Sequence, residues 1–432
     1  MTNNYFRWFV LLAVGLAAGV TGVNTLHFTP VLGDVAADLG VSLPAAQSSI
    51  LGIFVFFVAL STIISGAVAD RFGVVPVLLA GNLAGVLPNL LFPFIGHIFG
   101  AVIVLRIFQG FGAGAVFSLI PLVAAQWFAE NERGRVVGSG MTMLNAGMMI
   151  GVLASPLLFH AVGNWRSSMG WIGIVEGVLF LFTLYVVYNY EENKQARVRA
   201  NEQIQCFPYE PELKESMIQP AIIAEESGLG QLKVALSNST TYIGIIVCIC
   251  ISWLLNALND LTPQYFALNV PIGVGFGRIM AGQLMVLVQL GTVFGGVIGG
   301  FVMDKVFRGN PKPVLYAGFI IAMVTVYAII LPGVYNNTVI LMIDLFLAGL
   351  AVAFLNPAVA VFIAKVYPGK IVGRIVGMWL GIGAFGGSLG IFVSALALHA
   401  TGTYHLIVEL FAVVGIIGII LVQIMKKNIF TI

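Results

Sequence analysis

Five ionisable residues interrupt apolar stretches of this sequence: His27, Arg106, Glu176, Asp260 and Asp344. Where such stretches cross a bilayer, each charge costs at least about 2.5–3.5 kcal/mol and needs a partner or a wet cavity. The chemistry these residues offer is binding and proton exchange. A guanidinium grips a carboxylate through two parallel hydrogen bonds, which makes Arg106 a candidate anion site. Glu176 is the candidate for proton uptake, because burial favours the neutral form of a carboxyl group. Asn24, Gln109, Asn256, Gln283 and Gln289 add uncharged hydrogen-bonding groups, equally suited to a ligand or to helix–helix contacts. No phosphate-binding loop, metal-ligating set or nucleophile constellation stands out, so neither an enzyme nor ATP-driven work is expected. Gly273, Gly275 and Gly277 alternate without the strand a dinucleotide site needs. Cys206, Cys248 and Cys250 are too few for a disulfide framework and lack zinc-ligand spacing. No cofactor or metal is expected.

The elements that position these residues follow from composition. The chain is 59% hydrophobic and 9% charged, with a mean hydropathy of +1.02. A soluble domain averages roughly 25% charged residues, so most of this surface faces lipid. Lys and Arg barely outnumber Asp and Glu, 20 against 18, which argues against nucleic acid or another polyanion as partner. Apolar runs of about 20 residues, enough to cross a bilayer, fall near 7–31, 46–68, 74–95, 99–125, 136–160 and 169–189. A second set falls near 240–265, 279–302, 313–332, 338–364, 371–397 and 404–425. The first stretch is too long for a signal-peptide core and reads as a retained span. The expected organisation is a six-helix half over 1–190, a polar cytoplasmic linker over 191–238 and a second half over 239–432. With a cytoplasmic N-terminus, every Lys and Arg except Arg106, Arg166 and Arg278 falls on the cytoplasmic side. The positive-inside rule therefore puts both termini in the cytoplasm.

The two sets are copies of one another. Gly134-Arg135-Val136-Val137-Gly138 recurs as Gly373-Arg374-Ile375-Val376-Gly377. The segment from Gly66 to Asp70-Arg71 answers to the segment from Gly300 to Asp304-Lys305, and His27-Phe28-Thr29-Pro30 to Asp260-Leu261-Thr262-Pro263. Three matches in one order mark structural repeats, and parallel repeats in so apolar a chain point to two bundles with a site between them. Gly147 and Gly151 in the fifth span correspond to Gly386 and Gly390 in the eleventh. Small residues on one helical face allow close backbone approach, either as generic packing or as a face that rocks against the opposite half.

These motifs carry a resemblance. Gly66-x3-Asp70-Arg71-x-Gly73 resembles the signature loop of the major facilitator superfamily. Arg106-x2-Gln109-Gly110-x-Gly112-x-Gly114 looks like that family's second motif, and Glu132-Arg133-Gly134 is a weaker third piece. The resemblance covers essentially the whole chain and implies an all-α membrane protein of twelve helices in two pseudo-symmetric halves. It further implies a secondary transporter working by alternating access as a functional monomer. Two departures stand out. Val74, Val75 and Pro76 occupy places where the family loop carries basic residues. The glycine–proline pattern of the family's drug–proton antiporters is incomplete, since Val152 follows Gly151. By resemblance, Asp70 sits at the N-terminus of the eleventh span, where the helix dipole favours a carboxylate by roughly 0.3–1 kcal/mol. Asp304 with Lys305 would mirror it at the fifth.

Repeat equivalence pairs His27 with Asp260 and Arg106 with Asp344, each pair able to close across the midline. A permanent salt bridge between Arg106 and Glu176 is the structural alternative. The expected substrate is a small organic anion such as a carboxylate, with proton coupling through Glu176 or Asp344, or anion exchange. The alternatives are export of a lipophilic or cationic compound, using Glu176, Asp260 and Asp344, and a non-transporting membrane sensor of the same fold.

Overall fold

The computed structural model describes residues 6–128, 130–189 and 228–426, without the side chains of a few residues inside helices, Asp70 and Asp304 among them. Among the described residues, twelve helices are long and apolar enough to cross a membrane. They are α1 (Arg7–Asp38), α2 (Leu43–Ala69), α3 (Val74–Ile95), α4 (Phe99–Ala124), α5 (Glu132–Val162) and α6 (Trp165–Tyr188). The second set is α7 (Ser239–Ala267), α8 (Gly277–Gly296), α9 (Pro311–Ala328), α10 (Thr338–Val366), α11 (Ile371–Thr401) and α12 (His405–Ile424). In hydrocarbon every backbone N–H and C=O must be satisfied within the segment, so apolar runs of this length become helices. Four of them start on asparagine: the side chains of Asn164, Asn238, Asn310 and Asn337 accept backbone N–H groups at the heads of α6, α7, α9 and α10.

Packing repeats from one set to the other. α1 lies on α5, α2 on α4, and α3 on α4 and α6; six helices later α7 lies on α11, α8 on α10, and α9 on α10 and α12. The fold is thus two pseudo-symmetric six-helix halves. Even the helix irregularities correspond. α1 breaks into a 3-10 turn at Thr29–Val31, and α7 widens into a π turn at Ala257–Leu261, each beside the equivalent Pro30 or Pro263.

Glycine permits the tightest crossings. A Cβ on Gly147 would lie 1.9 Å from the Gly19 carbonyl oxygen, and one on Gly386 would lie 2.1 Å from that of Ile249. A Cβ on Gly151 would lie 2.6 Å from the Val23 carbonyl oxygen, and one on Gly390 would lie 2.9 Å from the Trp253 ring. These contacts join α5 to α1 and α11 to α7, each pair inside its own half. The reading in which these faces rock against the opposite half is therefore corrected: they hold each half together.

An even number of crossings puts both ends of the bundle's chain at one face, here called the termini face. Between the halves, α2 meets α11 and α5 meets α8. Among the described residues, three polar contacts cross this seam, all toward the face opposite the termini. Arg278 pairs with Asp34 at 2.7 Å, the Gln47 amide donates to the Ile391 carbonyl at 3.4 Å, and the Tyr404 hydroxyl reaches Gln47 at 3.4 Å. Close packing there includes Gly52 on Phe392 and Gly282 on the Val152 carbonyl. At the termini face the picture reverses: a Cβ added to Gly134, Gly138, Gly373 or Gly377 would meet nothing within 4 Å. The described polar contacts between the halves thus lie toward one face, and these helix ends at the other are exposed.

Candidate binding site in the seam

Arg106 is fully buried in α4, seven residues from its start at Phe99, or roughly 10 Å deep at 1.5 Å per residue. Its neighbours use three of its five N–H donors. Nε donates to the Ile50 carbonyl at 2.8 Å, and Nη1 to the Asn24 carbonyl at 2.9 Å and to Gln109 Oε1 at 2.8 Å. The guanidinium carbon lies 3.9 Å from the centre of the Phe54 ring and 5.0 Å from that of Phe28, so aromatic faces stabilise the cation. Nη2 is buried and has no partner. Both N–H donors of that nitrogen are therefore left over for another partner.

A chain of amides leads away from it. Gln109 Nε2 donates to Asn89 Oδ1 at 2.8 Å and to Asn24 Oδ1 at 3.0 Å. Asn89 Nδ2 donates to Asn24 Oδ1 at 2.6 Å and to Glu176 Oε2 at 2.7 Å. Glu176 Oε1 is buried without a partner. Arg106 and Glu176 therefore share a network without forming the salt bridge of the structural alternative. The helix α6 begins at Trp165, four residues before the span read from the sequence, and places Glu176 eleven residues in, about 16 Å. Asn89, central to the network, escaped the sequence reading. The available signal is the seven-residue spacing of Asn82 and Asn89, two helical turns apart on one face of an otherwise apolar α3. Asn82 donates to Thr183 of α6 at 3.3 Å along the same interface.

Across the seam, the carboxylate close enough to act electrostatically on Arg106 is Asp260 of α7, and His27 of α1 also feels the arginine. His27 and Asp260 are 0% and 1% exposed, so neither lies at a water interface. The His27 Nδ1 bonds the Val23 carbonyl at 3.0 Å, and both His27 Nε2 and Asp260 Oδ2 are buried without partners. The expected pairing of Arg106 with Asp344 is absent. Asp344 is partly buried on α10 with Oδ2 unpartnered, and no ion pair joins it to Arg106. Repeat position gave the right pair of halves and the wrong acid. The structure brings together Asn24, His27, Arg106, Gln109, Glu176 and Asp260; it leaves Asp344 apart. Gln289 joins a separate pair in the second half, donating to Asn259 at 2.7 Å. Gln283 is exposed on α8, and Asn256 bonds its own helix at the Ser252 carbonyl.

The sequence model of the Major Facilitator Superfamily matches residues 9–332 and 274–427. The chain belongs to this family of membrane transporters. It is a multi-pass integral membrane protein, and its family indicates a transporter in place of an enzyme. Among curated relatives, it is 24% identical over 415 residues to the 4-hydroxybenzoate transporter PcaK of Acinetobacter baylyi, covering 94% of this chain and 88% of that one. It is 23% identical over 403 residues to the sialic acid transporter NanX of Escherichia coli, covering 91% and 87%. It is also 23% identical over 317 residues to the membrane sensor protein UhpC of Escherichia coli, covering 72% and 67%.

The family's loop motif lies at the termini face. Gly73 ends α2 with φ +89°, a conformation that favours glycine, while Gly66 faces open space and Arg71 stacks on Phe72 at 5.3 Å. Lys305 is exposed in a π turn after α8. The side chains of Asp70 and Asp304, on which the expected dipole contacts depend, lie outside the described residues. Glu132, from the third motif, pairs with Arg7 at 2.9 Å. Cys206 and most of the linker, 190–227, also fall outside them, and Gly228–Ser237 is helical.

Proposed function

We propose that this protein carries a small organic anion of the carboxylate class by alternating access of a site between its halves. One observation carries the reading: Arg106 is buried, held on three sides, and left with an unpartnered Nη2 beside the seam. A guanidinium so placed suits a carboxylate that can complete its fork. The names of PcaK and NanX, whose substrates are 4-hydroxybenzoate and sialic acid, support the same class. In this reading Arg106 binds the anion, Asn24, His27, Gln109 and Asp260 shape the site, and Glu176 and Asp344 are the candidate coupling carboxylates. The loop from Gly66 to Gly73, with Asp304 and Lys305, gates the termini face. The halves span 1–190 and 239–432 with the linker 191–238 between them, and the protein works as a monomer in the cell membrane. The concentration of Lys and Arg at the termini face supports a cytoplasmic orientation for that face.

Counterflow in proteoliposomes tests the proposal. Vesicles preloaded with 4-hydroxybenzoate or sialic acid should take up the labelled compound, and Arg106→Ala should abolish it while leaving the protein folded by thermal melt. Uptake of lipophilic cations that survives Arg106→Ala would replace the reading with export. The similarity to UhpC favours one further alternative, a sensor, which would bind an anion and show no counterflow.

A further inference from the structure

The hydrogen-bond chain between Arg106 and Glu176 runs in one direction. Arg106 donates to the Gln109 carbonyl oxygen, Gln109 donates to Asn89, and Asn89 donates to Glu176. The second hydrogen of each amide is also committed, in both cases to Asn24 Oδ1. With every donor in use, neither amide can turn without turning the other and Asn24 as well, whose NH2 then leaves the Gly85 carbonyl and meets their oxygens in place of its Oδ1. Such a chain has two self-consistent directions, and the charges at its ends select between them. A carboxylate at Glu176 and a cation at Arg106 select the direction seen here.

We propose that Asn89 and Gln109 are positioning residues that couple proton uptake at Glu176 to anion binding at Arg106. This rests on the anion reading above. One proton from water converts the Glu176 carboxylate to the neutral acid, whose O–H must donate. Asn89 presents only its NH2 group to Oε2, and Oε1 has no hydrogen-bond partner. Turning Asn89 supplies its oxygen to the acid but sets its NH2 against that of Gln109. Gln109 then turns as well, and its NH2 meets the Nη1 donor of Arg106. Two donors repel, so Arg106 lets go. One N–H of Nη1 joins the already free Nη2, and the two offer a carboxylate the paired donors it binds best.

The surroundings isolate this pair. α3, packed against Glu176, carries no charged or titratable residue over Val74–Ile95. On α1 the nearby group is His27, with Arg7, Asp34 and Asp38 at its ends; on α5, Glu132, Arg133, Arg135 and His160 lie in the terminal turns. On α6 itself, Arg166 sits in the first turn, paired with Asp38. Asp260 faces Arg106 from across the seam and belongs to the anion's site.

Because binding linkage is reciprocal, the anion then draws a proton in with it. The sign is fixed: the protonated form binds the anion more tightly, so affinity rises as pH falls, by up to about tenfold per pH unit for one linked proton. The probes are 4-hydroxybenzoate and sialic acid, between about pH 6 and 9, above the ordinary carboxyl range. In weakly buffered solution, wild type should take up close to one proton per anion bound. Glu176→Gln should bind with the affinity wild type shows at low pH, independent of pH. It should lose accumulation driven by a pH gradient. Asn89→Leu, which leaves both charges in place, should flatten the pH slope. No proton uptake by wild type on binding overturns the coupling without any variant. A wild-type pH slope retained in Glu176→Gln or Asn89→Leu overturns it equally. If wild type binds neither probe at any pH, the anion reading falls, and the coupling with it.

Discussion

Arg106 is held by shape as much as by charge. Its plane lies between Phe54 and Phe28, and three hydrogen bonds to Ile50, Asn24 and Gln109 fix the fork so that Nη2 points away from them. Lysine carries the same charge on a single nitrogen without a planar face. Arg106→Lys should therefore fold and bind 4-hydroxybenzoate at least tenfold more weakly. That is the cost of losing about one hydrogen bond to a charged group, roughly 1.5–3 kcal/mol. Titration calorimetry on wild type and variant decides it, and equal affinities would mean that charge alone is read. At this scale much of the site was legible: Asn24, His27, Arg106, Gln109, Glu176 and Asp260 are polar residues inside apolar runs. Their partners were not. Whether Arg106 meets Asp260 or Asp344 depends on how far each helix is rotated and how closely it packs, and spacing along a chain encodes neither. Asn89 was overlooked because an uncharged residue raises no alarm until its partner is visible.

At the scale of helices, the glycines separate into two kinds with opposite expectations. Gly147 and Gly386 have a neighbouring backbone where a Cβ would go, and backbone cannot swing aside. Gly147→Ala and Gly386→Ala should each push a helix pair apart and destabilise the protein by about 1–3 kcal/mol, the usual cost of overpacking. Gly134→Ala and Gly377→Ala face open space, so they should be neutral within about 0.5 kcal/mol or gain from alanine's better helix propensity. Thermal melts of the solubilised variants test the contrast; equal losses at all four positions would show that the close crossings carry no special weight. The repeat itself was readable, since equivalent glycines and prolines recur in order. The spans were readable too, most to within a few residues. α1 extends farther, to Asp38 in place of 31, because Pro30 bends the chain into a 3-10 turn and helix resumes at Leu32. The reach of the glycine faces was not readable: a small-residue stripe tells that two helices meet and leaves open which two.

For the molecule as a whole, the proposed alternating access requires the seam to part. The halves are tied toward the face opposite the termini by groups whose loss costs little. The Asp34–Arg278 pair is 40% and 30% exposed, so it contributes on the order of 0–1 kcal/mol. Arg278 also rests on the Phe159 ring at 3.9 Å, and the Tyr404 hydroxyl, bonded to Gln264 at 2.9 Å, reaches over to Gln47. Contacts this modest can be traded for others at the termini face, where Gly134, Gly138, Gly373 and Gly377 stand clear. If alternating access is the mechanism, preventing the trade must stop transport even with the binding residues untouched. Cysteines at Asp34 and Arg278, in a chain with its three native cysteines replaced, place two thiols across the seam at the face opposite the termini. A reducible bifunctional thiol reagent about as long as the arginine side chain should bridge them, arrest counterflow and leave anion binding from the termini face intact. Reduction should then restore counterflow. Transport that continues through an intact cross-link would mean that the halves need not part at this face. The solute would then pass by a route other than the seam containing Arg106.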